Sequence, residues 1–318
     1  MKVCYIDCVT LNDTFEFKVL YVIYYDNQQV IEMSTTGAIV INRKNGEQRI
    51  FGFKTSDSPV TGFWHGQVNR PDGYDTLAYG LTPQQGINAG LNSQGLMMIS
   101  SYFDYVEPNT FEFGSEQAKD SFVFPSWSGD IRGIIQAKAL GECTIAAEAN
   151  ALLEDAFMGS AAIGGNHLVV DKNGGLFVFE HCRGRIGLQD ATLQGYAARS
   201  NQSLLMFHEE QGRISASARL DRKLRQQQAE RQLASLKREE AELDDAEVIA
   251  RLQTLVAGHV GQGGEPGSIC AHGIRSGRSN SSNPHQTLSA MIWQVNDKVM
   301  HYTVGHPCSS SWKKMRIA

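Results

Sequence analysis

Four times along its length this chain sets two runs of apolar or β-branched residues on either side of a short polar turn, a pattern that leaves few folds open. "GAIVI" and "QRIFGF" flank "NRKNG", where Asn45-Gly46 supplies the positive φ angles of a tight turn. "GINAGLNSQGLMMISSYFDY" sets strand-like runs around "NSQG", and "NHLVVDKNGGLFVFEH" turns at "DKNGG". "QTLSAMIWQVNDKVMHYTVGHPC" turns at Asn296-Asp297, and the early run "FEFKVLYVIYY" also suits a strand. Helical blocks separate the hairpins. "IIQAKALGECTIAAEANALLEDAF" has helical spacing, with a break at "GECT" where Thr144 can cap a second helix. Ser215 to His259 is a second block, ended by "GQGGEPGS"; its charges read as a solvated face, with Leu220, Leu224, Leu233 and Leu236 as a narrow apolar stripe. Hairpins alternating with helical blocks argue against a doubly wound parallel sheet. They predict an α+β fold in which helices cover antiparallel sheets.

At 318 residues the chain could hold one large or two ordinary domains, and without internal repeats or a low-complexity linker it reads as one. A net charge of -5 gives no reason to expect binding to nucleic acid or an anionic membrane. No apolar run approaches the roughly 18–20 residues of a membrane span. The opening "MKVCYIDCVTLNDTFEF" lacks the basic segment and apolar core of a secretory signal, so the expected address is cytoplasmic. Cys4, Cys8, Cys143, Cys182, Cys270 and Cys308 contain no CxxC pair. That spacing argues against a zinc knuckle and for reduced, mostly buried thiols.

Chemistry concentrates in the first hairpin. Ser34, Thr35 and Thr36 head its first strand; Lys54 and Asp57 lie at the foot of the second. A hairpin folds its ends together, so a hydroxyl should meet a cation and a carboxylate there. That is the arrangement of a nucleophile beside its electrostatic partners, and it points to cleavage of an amide.

Several segments resemble, in order, the N-terminal-nucleophile hydrolases, in the branch of penicillin V acylase, bile salt hydrolase and isopenicillin N acyltransferase. "FGFKTSDSP" is similar to the family segment ending Gly-Arg-Asn-x-Asp, and "GLNSQGLMMISSYFDY" to its Gly-x-Asn-x-x-Gly-Leu strand pair. "GGNHLVVDKNGGLFVFEH" resembles its central hairpin, with "ARSNQ" where Thr-Asn-His is frequent. "SASARLDR" resembles its Ser-x-x-Arg helix start, and "SICAHG" with "GHPC" the tail of the acyltransferase branch. The resemblance implies a four-layer αββα sandwich over residues 34–318, with residues 1–33 as a propeptide or extension. It also implies roles. Asp57 would bind the freed α-amine of the nucleophile, and Lys54 would stand at the family arginine, keeping its charge but not its bidentate geometry. Tyr102 and Asn201 would form the oxyanion hole, and Arg219 would support the nucleophile.

The branch normally uses cysteine as nucleophile, and no cysteine heads this hairpin. Residues added after a hairpin turn should be matched before it, which places the nucleophile at Ser34; a bulge would move it to Thr35 or Thr36. The nucleophile's own α-amine would be the base, which requires autoproteolysis before Ser34. The expected partner is a small-molecule acyl-amide, with no cofactor or metal and with homo-oligomerisation left open. Two other readings stand: a cysteine-dependent acyl transferase using Cys8 or Cys270, with His272 beside it as base, and a non-catalytic relative that binds or scaffolds. Phe63, Trp64 and Trp127 hint at an apolar acyl pocket.

Overall fold

The computed structural model describes residues 33–58, 62–82, 84–103, 130–160, 162–206, 216–274 and 285–317. The early run at 15–25, Cys4, Cys8 and Trp127 lie outside them. The first hairpin pairs β1 (Thr36–Asn42) with β2 (Gln48–Ser58) in the register Thr36↔Lys54 to Asn42↔Gln48. Gly46 takes φ +84° at its turn, as Asn-Gly chemistry predicts.

A second sheet runs in chain order as a meander: β3 (Phe63–Val68), β4 (Thr76–Leu81), β5 (Ala89–Asn92), β6 (Leu96–Tyr102), β7 (Gly165–Asp171), β8 (Leu176–Cys182) and β9 (Arg185–Asp190). The first sheet is assembled differently. Around β1 and β2 gather β10 (Tyr196–Arg199), β11 (His272–Ile274), β12 (His285–Gln294), β13 (Val299–Tyr302) and β14 (Lys313–Arg316), in the order β10-β1-β2-β12-β13-β14 with β11 on β12. Every pairing in both sheets is antiparallel. The first hairpin therefore sits at the centre of its sheet, which is why β2 is buried from Arg49 to Ser58.

Helices α1 (Arg132–Glu142) and α2 (Ala146–Phe157) cover the meander; α3 (Ala216–Glu239) and α4 (Asp245–Ala257) cover the first sheet. The strand period of two sorts the core. Ala38, Val40 and Ile50 face the second sheet and pack with Leu91, Met97 and Ile99. Ile39, Ile41, Phe51 and Phe53 face the helices and pack on Ala229, Leu233, Val248 and Leu252. Two antiparallel sheets with helices outside make the expected αββα sandwich. No helix among the described residues is long and apolar enough to cross a membrane.

Local chemistry differs from expectation in two places. The break at "GECT" is present, but Thr144 does not cap α2: its hydroxyl donates to Glu148, and Asp171 accepts from the Ala146 amide at 2.8 Å. The helical block ending near His259 is two helices, because Asp244 caps α4 by accepting from Glu247 N at 2.8 Å. Leu233, fully buried between α3 and β1, anchors α3 to the hairpin. Leu233→Ala is expected to cost about 2–5 kcal/mol in urea unfolding; a change under about 0.5 kcal/mol would show that α3 is not fixed there.

Candidate active site

The hairpin brings its two ends together. Met33 pairs with Asp57 by two main-chain bonds, Met33 N to Asp57 O at 2.8 Å and Asp57 N to Met33 O at 2.7 Å. The register at Thr36↔Lys54 carries through to Met33↔Asp57 without an offset. Between these pairs Thr55 N donates to Thr35 O at 2.9 Å while Thr35 N is diverted to the Thr55 hydroxyl, and Ser34 N, at a position that points away from β2, donates to Asn201.

Each polar atom of Ser34 has a partner. Its amide donates to Asn201 Oδ1 at 2.8 Å, its hydroxyl accepts from Lys54 Nζ at 2.8 Å, and its carbonyl accepts from Arg225 Nη1 at 2.8 Å. The neighbouring hydroxyls are placed differently. Thr35 Oγ1 accepts from Arg225 at 3.0 Å, and Thr36 Oγ1 donates to Arg199 O at 3.2 Å.

Strand alternation explains Lys54. Counting by two from Ile50, it occupies a position facing the second sheet, the side on which Ile50 packs into the core between the sheets. Gly52, two residues earlier, has no side chain, so Met97 of the second sheet lies over β2; a Cβ there would fall 2.2 Å from Met97 Cε. The ammonium is fully buried and bonds Ser34 Oγ and the Ser100 carbonyl of β6, each at 2.8 Å. A charge this deep is tolerable only with such acceptors.

Asp57 lies on the other side of the strand, where Arg225, Thr287, Asp221 and Lys54 bear on it. Thr287 Oγ1 on β12 donates to its Oδ1 at 2.6 Å, while Oδ2 is buried without a hydrogen-bond partner among the described residues. Burial pushes its carboxyl up to about 7, against the pull of Arg225, the Thr287 hydroxyl and Lys54.

Asn201 stands on the turn after β10. That turn is held by Glu180 of β8, which accepts from Arg199 Nε at 2.9 Å and from the Leu204 and Leu205 amides. Asn201 Oδ1 takes Ser34 N and Arg225 Nη2, and Nδ2 donates to Tyr102 O at 2.7 Å, so its orientation is fixed. Tyr102 enters the site through that carbonyl; its ring lies 5.5 Å from the Arg132 guanidinium.

Arg219 is exposed in the first turn of α3, and the arginine that touches Ser34 is Arg225, six residues on. Sequence reasoning missed it by treating the charges of α3 as solvated. The buried face is Asp221, Arg222, Arg225, Gln226, Ala229, Leu233 and Leu236, whereas Leu220 is 49% exposed. Asp221 and Arg225 stand four apart, with Ala229 and Leu233 each four further on, so they continue the apolar stripe. Nε of Arg225 donates to Asp221 at 2.9 Å, and Asp221 accepts from Gly267 N.

Of the other candidates, Phe63 packs partly buried on the core and Trp64 is 37% exposed across Gly80. Cys270 is buried beside His272 and Cys308, and burial raises its thiol, the opposite of an activated nucleophile.

The architecture is that of the N-terminal-nucleophile hydrolase fold. The chain superposes on penicillin V acylase from Agrobacterium tumefaciens with TM-score 0.55 and 11% identity, covering 88% of this chain and 86% of that one. A variant of the conjugated bile acid hydrolase from Clostridium perfringens superposes with TM-score 0.51 and 10% identity, covering 89% and 97%. At these identities the likeness is one of fold. No protein-family model and no curated protein matches the sequence.

The Asp57 environment predicts a pH dependence. An acid whose folded pKa lies above its unfolded value contributes stability below the unfolded pKa and loses it as pH rises through the folded one. For Asp57 the window runs from 3.8 to about 7. Half-buried His65 and buried His167 are shifted down and act with the opposite sign, so a difference between variants is needed. Urea unfolding of Ser34→Ala, set against Ser34→Ala/Asp57→Asn, should turn against the Asp57 chain by on the order of 1 kcal/mol per pH unit across that window. Parallel curves would mean that Asp57 ionises as freely as in water.

Proposed function

We propose that this chain is an amide-cleaving enzyme, a hydrolase or acyltransferase for a linear acyl-amide, whose nucleophile is the Ser34 hydroxyl exposed by autoproteolysis after Met33. The observation that carries the reading is the contact of Lys54 Nζ with Ser34 Oγ at 2.8 Å, at the head of a hairpin in this fold. Of the three hydroxyls, Ser34's is the one in contact with that ammonium. Residues 1–33 are then a propeptide and 34–318 the catalytic domain.

In the uncut chain the scissile peptide is already polarised, since Met33 O accepts from Asp57 N. Ser34 Oγ attacks the Met33 carbonyl carbon. The C–N bond breaks, the hydroxyl proton ends on the departing Ser34 nitrogen, and Met33 is left as an ester on Oγ. Water hydrolyses that ester, releasing residues 1–33 and restoring the hydroxyl. Asn201 Oδ1 holds the same nitrogen as amide and then as amine, and the unpartnered oxygen of Asp57 supplies the charge that an ammonium needs.

The freed amine, with an ordinary pKa near 8, takes the hydroxyl proton when Oγ attacks a substrate amide. Lys54 lowers the cost of charge on Oγ. The Asn201 side-chain amide takes the oxyanion-hole role that the resemblance implies, a contribution of about 3–4 kcal/mol for a well-aimed donor. Tyr102 orients that amide through its carbonyl. Arg225, held by Asp221, fixes the Ser34 carbonyl and with it the position of Oγ. The α-ammonium returns its proton to the departing amine. Water or an amine acceptor then takes the acyl group, since both reactions run through the same residues.

The test is acyl-enzyme trapping with a panel of chromogenic N-acyl anilides. One acyl mass should appear on the peptide beginning at Ser34, and Ser34→Ala should lose the label and lower kcat/KM by about 10³-fold or more. Lys54→Met should lower kcat by about 10²-fold with KM little changed. Turnover that survives Ser34→Ala, or a label on Cys270, would replace this reading with the cysteine mechanism. Neither label nor turnover across the panel would favour a binding relative.

A further inference from the structure

The end of α4, the start of β11 and the turn after β13 converge on a second constellation. Cys270 Sγ lies 3.3 Å from His272 Nε2, His272 Nε2 lies 3.2 Å from Cys308 Sγ, and the two sulfurs are 3.6 Å apart. A ring nitrogen of His259 shares a 4.8 Å neighbourhood with the His272 and Cys308 donor atoms. We propose that Cys270, His272, Cys308 and His259 form a tetrahedral site for a zinc ion, which staples these three segments together.

The triangle has the size that zinc requires. Metal–sulfur bonds of about 2.3 Å and metal–nitrogen bonds of about 2.0–2.1 Å give tetrahedral edges of about 3.5 Å between S and N and about 3.8 Å between two sulfurs. Each observed edge falls within about 0.3 Å of those values. Two sulfurs and two imidazoles are the donor set of zinc and its soft neighbours, not of magnesium or calcium. Binding would release the proton of each thiol, so both cysteines ligate as thiolates.

The surroundings orient the donors. His259 Nδ1–H can donate to Gly261 O at 3.2 Å, which leaves the lone pair on Nε2. The His272 ring stacks on His306 at 4.1 Å and 13°, and its other side lies against Gly263, where a Cβ would fall 2.5 Å from the ring. Gly258 O accepts from both Ile269 N and Cys270 N, which pins the segment before His259 to the one before His272.

The staple would act on the first hairpin. Ala271, between two of the ligands, donates its amide to Thr287 Oγ1 at 2.7 Å, and Thr287 donates to Asp57 Oδ1. Fixing Cys270 and His272 therefore fixes the hydroxyl that orients Asp57. The metal readout does not depend on the enzymatic reading, so either can fail without the other.

The test starts from the full chain, purified with a thiol reductant, stripped with a chelator and titrated with zinc or cobalt(II). About one metal per chain should bind, and cobalt should give the visible bands of a tetrahedral thiolate site. Cys308→Ser and His272→Gln should each weaken zinc binding about tenfold or more, whereas Cys143→Ser should leave it unchanged. No metal uptake by the wild-type chain would overturn the proposal without any variant having to fold. So would an unchanged cobalt spectrum in Cys270→Ser/Cys308→Ser. A Cys270–Cys308 disulfide that persists under reductant and blocks uptake would overturn it as well.

Discussion

A lysine ammonium with no exposed surface, held between two sheets, is the constraint on which the rest of the site depends. Leaving such a charge without partners costs several kcal/mol, so the surrounding chain must present oxygen to it. Ser100 presents a main-chain carbonyl from the second sheet, and Ser34 presents a hydroxyl from the adjoining strand. The demand for solvation by protein thereby orders the head of β1 and turns Ser34 Oγ inward. Across the strand Asp57, Arg225 and Asp221 bring charge of both signs to the helix-facing side. These buried pairs fix position more than they add stability.

Much of the architecture could be read from residue order. Turn chemistry at Asn45-Gly46, "NSQG", "DKNGG" and Asn296-Asp297 marks four hairpins that the structure contains as β1–β2, β5–β6, β7–β8 and β12–β13. The short strands β10, β11 and β14 pair with partners distant in sequence or lack a two-sided apolar signal, so local patterning does not reveal them. The meeting of Ser34 with Lys54 was legible because a hairpin's register is simple arithmetic. Its depth was not, because a Lys beside an Asp is more often a solvated pair, and the burial comes from β6 of the second sheet and from β10 and β12, which flank the hairpin from far along the chain.

Arg225 was illegible for a related reason. Composition treats a helix rich in Arg, Gln and Glu as facing water, and a search for leucines gives Leu220, Leu224, Leu233 and Leu236, of which Leu233 and Leu236 are buried and Leu220 is exposed. The helix is in fact rotated so that Asp221 and Arg225 extend the line of Ala229 and Leu233. The Asp–Arg spacing of four was a usable signal, but only once the site gave a buried pair something to bind. The cysteines show the same limit: no close spacing joins Cys270 to Cys308, and only the antiparallel neighbours of β12 bring them within 3.6 Å.

The central claim is that Ser34 becomes the first residue of its chain. Intact-mass measurement of the purified protein, with N-terminal sequencing, addresses it directly. The account predicts a species of residues 34–318 beginning Ser-Thr-Thr, with Ser34→Ala remaining full length. A wild-type chain that stays as uncut as Ser34→Ala after prolonged incubation, or that is cut at another bond, would contradict it.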